Sequence, residues 1–153
     1  MTEQAQLQRA GSADLELLLE LMSGYYRDDH LGFDFVRQRS AMLRLLEEPQ
    51  WGRVWLIRLP DRVVGYVAVC FGFSLELGGN DAYVDEMYVV PEARNRGIGR
   101  HALQQLNQPL AELGIRAVHL EVDQHNHAAQ RLYSALGYRK RDRYFLMSRD
   151  LGN

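Results

Sequence analysis

Apolar residues recur at helical spacing near the start of the chain. Leu15, Leu18, Leu19 and Met22 fall at i, i+3, i+4 and i+7, the stripe of an amphipathic helix. Ser12 is a good N-cap, so the spacing predicts a helix over residues 13–26. Residues 24–32 break the pattern and are read as a loop carrying Tyr25, Tyr26, Asp28, Asp29 and His30. Asp34 caps a second helix reaching residue 48, with Phe35, Met42, Leu45 and Leu46 as its apolar positions, and Pro49 ends it.

The period then changes. Residues 54–59, 63–73 and 82–90 are rich in β-branched and aromatic residues, and short turns separate them (Pro60-Asp61, then Gly78-Gly79-Asn80-Asp81). An antiparallel meander follows. Gly65 inside the second run marks a bulge or a close backbone approach. A third helix is expected over 99–113, kinked or shortened by Pro109 and stopped by Gly114. A strand over 117–122 makes the connection a parallel crossover. Asn126 caps a last helix over 127–136, and Gly137 stops it. Residues 7–9, 138–140 and 144–147 are expected as further strands. The pattern is that of an α/β (α+β) protein, one domain over residues 1–153, with a mixed, mostly antiparallel sheet flanked by helices.

Composition narrows the class. The 153 residues are 46% hydrophobic and 25% charged, values of one ordinary globular domain. No apolar run spans a bilayer, and the polar start lacks the regions of a signal peptide, so a cytoplasmic protein without a membrane partner is expected. Cys70 stands alone, which excludes a disulfide framework and a cysteine metal site. His125 and His127 have no third ligand in view, and no metal is expected. Net charge is −2, against general nucleic-acid affinity. Its distribution is uneven: residues 1–90 hold 8 bases and 14 acids, residues 91–153 hold 10 bases and 6 acids. A basic second half suits an anionic ligand, and an acidic first half a cationic one.

The sharpest stretch lies where the third strand meets the third helix: Arg94, Asn95, Arg96, Gly97, Ile98, Gly99, Arg100 and His101. Glycine lets backbone approach a ligand closely. A helix N-terminus adds unpaired N–H groups and a positive dipole end. The combination is a phosphate cradle. The stretch also fits the dinucleotide pattern GxGxxA, with Glu121 about 20 residues on. Against that reading, residues 91–96 separate strand from glycine turn, and only one strand–helix–strand unit is present. A Walker A loop is excluded, because no Lys-Ser or Lys-Thr follows the glycines.

Arg94-Asn95-Arg96-Gly97-Ile98-Gly99 resembles the Arg/Gln-x-x-Gly-x-Gly/Ala motif of the GCN5-related N-acetyltransferase (GNAT) superfamily. The preceding residues 85–92 resemble the strand and bulge that lead into it. Residues 126–138 resemble the family's Asn-x-x-Ala-x-x-Leu-Tyr-x-x-x-Gly-Phe motif, with Tyr138 in place of phenylalanine. The resemblance implies splayed central strands and acetyl-CoA as co-substrate. Backbone N–H groups from Arg96 to His101 would then bind the pyrophosphate, with Arg94, Arg96 or Arg100 either joining them or facing solvent. The strand around Met87, Tyr88 and Val89 would pair with the pantetheine arm through the main chain of Met87 and Val89. Asn126 would be a helix cap, a contact to the cofactor arm, or both. Tyr133 would donate a proton to the leaving thiolate. Family members often dimerise, and a homodimer is an expectation of the same kind.

An amine attacks a thioester only when neutral, and an alkylamine holds its proton to a pH of about 10. A base is required. Asp85 and Glu86 interrupt an apolar strand where the family often places an acid. Neighbours on a strand point to opposite faces unless a bulge intervenes. Asp85 aligns better and Glu86 is the reserve. His119 is read as an ordinary strand residue. The implied reaction is acetyl transfer to a small, cationic primary amine by direct attack in a ternary complex. A peptide or protein N-acetyltransferase and a non-catalytic acyl-CoA sensor are the alternatives.

Overall fold

The computed structural model describes residues 4–152, and the chain divides into two compact units, Met1–Glu121 and Val122–Asn153. The first holds a five-stranded mixed sheet in the order β1-β2-β3-β4-β5. These strands are β1 (Gln6–Arg9), β2 (Gly52–Arg58), β3 (Val63–Ser74), β4 (Gly79–Val89) and β5 (Val118–Leu120). The first three pairings are antiparallel, and β4 pairs β5 in parallel. The expected meander and crossover are both present.

Each face of the sheet is covered by helices of its own. Helices α1 (Leu15–Asp28) and α2 (Phe35–Glu47) cover one, with Leu18, Leu19, Met22 and Met42 packed on Val54, Leu56, Tyr66, Ala68 and Tyr88. Helix α3 (Ile98–Glu112) covers the other, where Ile98 and Ala102 join Ile57, Val64 and Ala93. Gln105 of α3 fastens β1 by accepting from Leu7 N–H (3.1 Å) and donating to the Ala5 carbonyl (2.7 Å).

Several boundaries differ from expectation. Ser12–Asp14 forms a 3₁₀ turn, held by Asp14 accepting from Gly11 N–H at 2.9 Å, so α1 begins at Leu15. It also runs to Asp28, which puts Tyr25, Tyr26 and Asp28 on a helix rather than a loop. Gly24 does not break it, because packing supplies what propensity lacks: the Tyr88 ring lies where a side chain at 24 would go. Asp34 caps α2 as expected, accepting from Arg37 N–H at 3.0 Å, but Phe35 is exposed. Helix α3 continues past Pro109 to Glu112. Proline there removes one bond in the last turns, while Leu103, Leu106 and Leu110 keep the helix buried on the sheet. Gly65 proves to be a close approach, since a Cβ would meet the Tyr88 carbonyl oxygen at 2.0 Å.

The second unit holds α4 (His127–Ala135), capped by Asn126, whose side chain accepts from Ala129 N–H at 3.1 Å. Gly137 ends it with φ of 93°. The runs 138–140 and 144–147 form no strand among the described residues. Their composition favours β structure, but a strand exists only where a ladder partner takes its backbone groups, and Tyr144, Phe145, Leu146 and Met147 are exposed.

Candidate active site

The chemistry of the first unit concentrates on β4. Its pairing with β3 skips a residue: Ala68 faces Glu86 and Val69 faces Val84. Asp85 is therefore the extra residue of a bulge, the circumstance that lets neighbouring acids share a side. Beyond the bulge, Glu86 and Tyr88 face α1, while Met87 and Val89 pack toward α3.

Glu86 is held from two elements. Tyr26 Oη of α1 donates to its Oε2 at 2.6 Å, and Tyr66 Oη of β3 donates to its Oε1 at 2.9 Å. Burial pushes the Glu86 carboxyl above its usual range, and the two phenols act the opposite way by favouring the ionised form. Asp85 keeps an exposed edge and makes no side-chain hydrogen bond among the described residues, yet the surrounding protein also pushes its carboxyl up. Tyr25 completes the group; burial and the nearby acids push its phenol up to about 12. Burial likewise raises the Cys70 thiol to about 11, so it stays protonated and is no nucleophile.

The opposite property belongs to the backbone of β4. Val90 N–H donates to the Val64 carbonyl at 2.8 Å, which turns the main chain of alternate residues, including Tyr88, toward β3. Met87 and Val89 turn theirs to the other edge. There β5 pairs only with Ala82, Tyr83 and Val84, so the two strands part at Asp85. Beyond Val84 that edge has no strand partner among the described residues, and it leads to the glycine turn. Asn95 and Gly97 take left-handed φ of 60° and 76°, and α3 starts at Ile98. Its first turn leaves N–H groups without a helical acceptor; His101, donating to the Gly97 carbonyl at 3.0 Å, comes after them. Gly99 sits against Met87, whose Cε a Cβ would approach to 3.1 Å. Donors, dipole and absent side chains fit a pyrophosphate of the kind CoA carries.

Two candidates are engaged elsewhere. Arg94 donates Nε–H to the Val89 carbonyl (2.8 Å), pairs with Asp28 at 2.9 Å and lies over the Tyr88 ring at 5.5 Å. Tyr88 is buried and donates its hydroxyl to Asp28 at 3.3 Å. Arg96 and Arg100 are exposed on the turn, and His101 is half-buried. In the second unit, Asn126 is occupied as the α4 cap, and Tyr133 is half-buried against Tyr138, ring centroids 5.9 Å apart. Burial raises the Tyr133 phenol, so it holds its proton at neutral pH. Among the described residues no cluster could hold a metal ion, and no helix is long and apolar enough to cross a membrane. Tyr66 is the site residue that the sequence reading passed over. Its signal was a hydroxyl in an otherwise aliphatic buried strand, which must find a partner.

Comparison with known proteins agrees with this fold. The chain is 37% identical over 57 residues to the D-amino-acid N-acetyltransferase HPA3 of Saccharomyces cerevisiae, covering 37% of this chain and 35% of that one. It is 36% identical over 75 residues to the thialysine N-epsilon-acetyltransferase of Bos taurus, covering 49% and 44%. Its matches thus span less than half the length of these two relatives. A solved structure, an integron cassette protein from the mobile metagenome of Cole Harbour Salt Marsh, superposes with a TM-score of 0.86 at 32% identity, covering 97% of this chain and 91% of that one. The model of the Acetyltransferase (GNAT) family matches residues 15–138, which take in the β4 bulge, the glycine turn and α4, and the chain belongs to that family.

Proposed function

We propose that the 153 residues act as one domain that moves the acetyl group of acetyl-CoA to a primary amine of a small, cationic molecule. The observation that carries the reading is the double use of β4. Its edge at Met87 and Val89 leads main-chain groups to the Gly97 cradle, while Asp85 and Glu86 stand where the strands part. Acetyl-CoA supplies an activated acyl carbon and a thiolate leaving group. Asp85 draws the ammonium and takes its proton, directly or through water, and Glu86 adds fixed negative charge. The neutral amine attacks the thioester carbonyl. Tyr133, protonated at neutral pH, then returns a proton to the thiolate. The names of the two relatives, which acetylate amino-acid amines, are compatible with an amine acceptor.

A panel of polyamines, aminoglycosides, amino acids, thialysine and lysine peptides, assayed by release of free CoA thiol, tests this. Turnover of cationic amines is expected, and loss of turnover in Tyr133→Phe and in Asp85→Ala with Glu86→Ala. Turnover confined to neutral or acidic amino compounds would overturn the acceptor class. Binding of acetyl-CoA without turnover of any amine would favour a sensor on the same fold.

A further inference from the structure

A second polar pair lies on the face of the sheet that carries Glu86, and the chemistry above leaves it idle. His119 Nε2 of β5 is 3.2 Å from Asp81 Oδ2 of β4. Asp81 is 6% exposed, the buried charged residue among those described. Its Oδ1 is enclosed without a hydrogen-bond partner and lies against Gly72, where a Cβ would come within 2.6 Å of it. A carboxylate enclosed in this way depends on its remaining partner. The pair fixes the imidazole tautomer: Nε2 carries the proton and donates to Asp81, and Nδ1 keeps a free lone pair. The Tyr83 ring, centroid 4.8 Å from that of His119 and tilted by 39°, sets the plane of the imidazole. The His119 side chain remains 28% exposed, so solvent reaches it.

The position matters as much as the pairing. Tyr83 pairs with His119 and Val84 with Leu120, the last rows before the strands part at Asp85. His119 stands one strand across from β4 and two residues before the parting, about 7 Å along the strands and about 5 Å across them, a span for a short chain of waters rather than a direct contact. An imidazole whose Nε2–H is held by a carboxylate offers its Nδ1 lone pair to a proton, and the carboxylate then pairs the charge that forms. The groups facing His119 are Asp81 and Tyr83 on β4, with Cys70 beyond Tyr83 on β3; Arg116 and Glu121 flank β5 along the chain.

We propose that His119 finally holds the proton removed from the acceptor amine, with Asp81 as its positioning residue. The proposal rests on the acetyl-transfer reading. The ammonium N–H bond breaks toward a water on Asp85, and a short chain of waters passes a proton on to Nδ1. The resulting imidazolium is paired by the Asp81 carboxylate and later loses its proton to solvent. The freed lone pair on the amine attacks the thioester.

Steady-state kinetics of His119→Gln, Asp81→Asn and His119→Ala with added imidazole test it on the full chain. His119→Gln should lower kcat about 10- to 100-fold with the acceptor KM within about twofold. The acid limb of its pH–rate profile should differ from that of the wild type. Imidazole should restore part of the loss in His119→Ala, and Asp81→Asn should fall between wild type and His119→Gln. An unchanged kcat in His119→Gln, a loss confined to KM, or an unmoved acid limb without imidazole rescue overturns the proposal. If Asp81→Asn fails to fold, the two His119 variants still decide the matter. A wild-type protein that turns over no amine fails the acetyl-transfer reading itself, a result told apart from the others before any variant is made.

Discussion

The proposed donor and acceptor ends of β4 are built from different materials. The donor end is backbone: the edge at Met87 and Val89, the left-handed turn at Asn95 and Gly97, and the first turn of α3. The acceptor end is side chain: Asp85 on a bulge, Glu86 clasped by phenols from α1 and β3, and the Asp81–His119 pair between β4 and β5. A backbone site tolerates change in side chains but not in φ or Cβ. A side-chain site tolerates change in backbone sequence but not in the few groups that meet there. One strand can therefore keep its donor fixed while its acceptor changes.

The contrast can be broken experimentally. The largest effect is expected from Asp85→Asn: kcat/KM for the amine should fall about 100- to 1,000-fold, with acetyl-CoA Kd by calorimetry within about twofold. Equal loss in both would merge the two ends. Because burial raises the Asp85 carboxyl, its ionised form is present only above that raised pKa. Activity that depends on it should disappear as pH falls through a range above that of an ordinary aspartate.

Gly97→Val should act at the other end. A left-handed φ costs a side-chain-bearing residue about 1–2 kcal/mol, so acetyl-CoA should bind about 5- to 30-fold more weakly, while the amine KM at saturating cofactor stays unchanged. Tyr66→Phe comes next. It leaves one Glu86 oxygen without its donor, which should lower stability by about 1–3 kcal/mol in denaturant titration. Losing a hydrogen bond that favours the ionised form moves the Glu86 carboxyl further up, so any acid limb owed to Glu86 should shift to higher pH.

Arg94→Gln should be the smallest change. Its pair with Asp28 is partly exposed and is worth about 1 kcal/mol or less. Acetyl-CoA Kd should stay within about twofold, because the guanidinium is spent on Asp28 and on the Val89 carbonyl. A tenfold loss would return Arg94 to the phosphates.

The same division explains what could be read from the sequence. The glycine turn was legible because φ near +76° at Gly97 demands glycine, and a demand on one residue leaves a mark at one position. The α4 cap was legible for the same reason, since Asn126 bonds to a residue three places on. The clasp on Glu86 was not, because Tyr26 and Tyr66 lie 60 and 20 residues away from it and only the fold brings them together. His119 reads as a strand residue until Asp81, 38 positions earlier, is placed beside it. The α1 boundary failed for a third reason. Gly24 signals a break by propensity, and its contact with Tyr88 overrides that signal. Arg94 sits in a motif whose arginines suggest anion binding, yet it closes on an acid of its own chain.

The bulge at Asp85 also bears on how such proteins diverge. Since Ala68 already faces Glu86 and Val69 already faces Val84, removing Asp85 would join two rows that are in register and restore plain alternation. The sheet has no need of the residue on which the proposed chemistry depends. A one-codon deletion there should leave the melting temperature close to that of the intact protein while turnover stops. On this scaffold an enzyme and an inert binder lie a single genetic step apart, and selection for folding alone would not hold them on the same side.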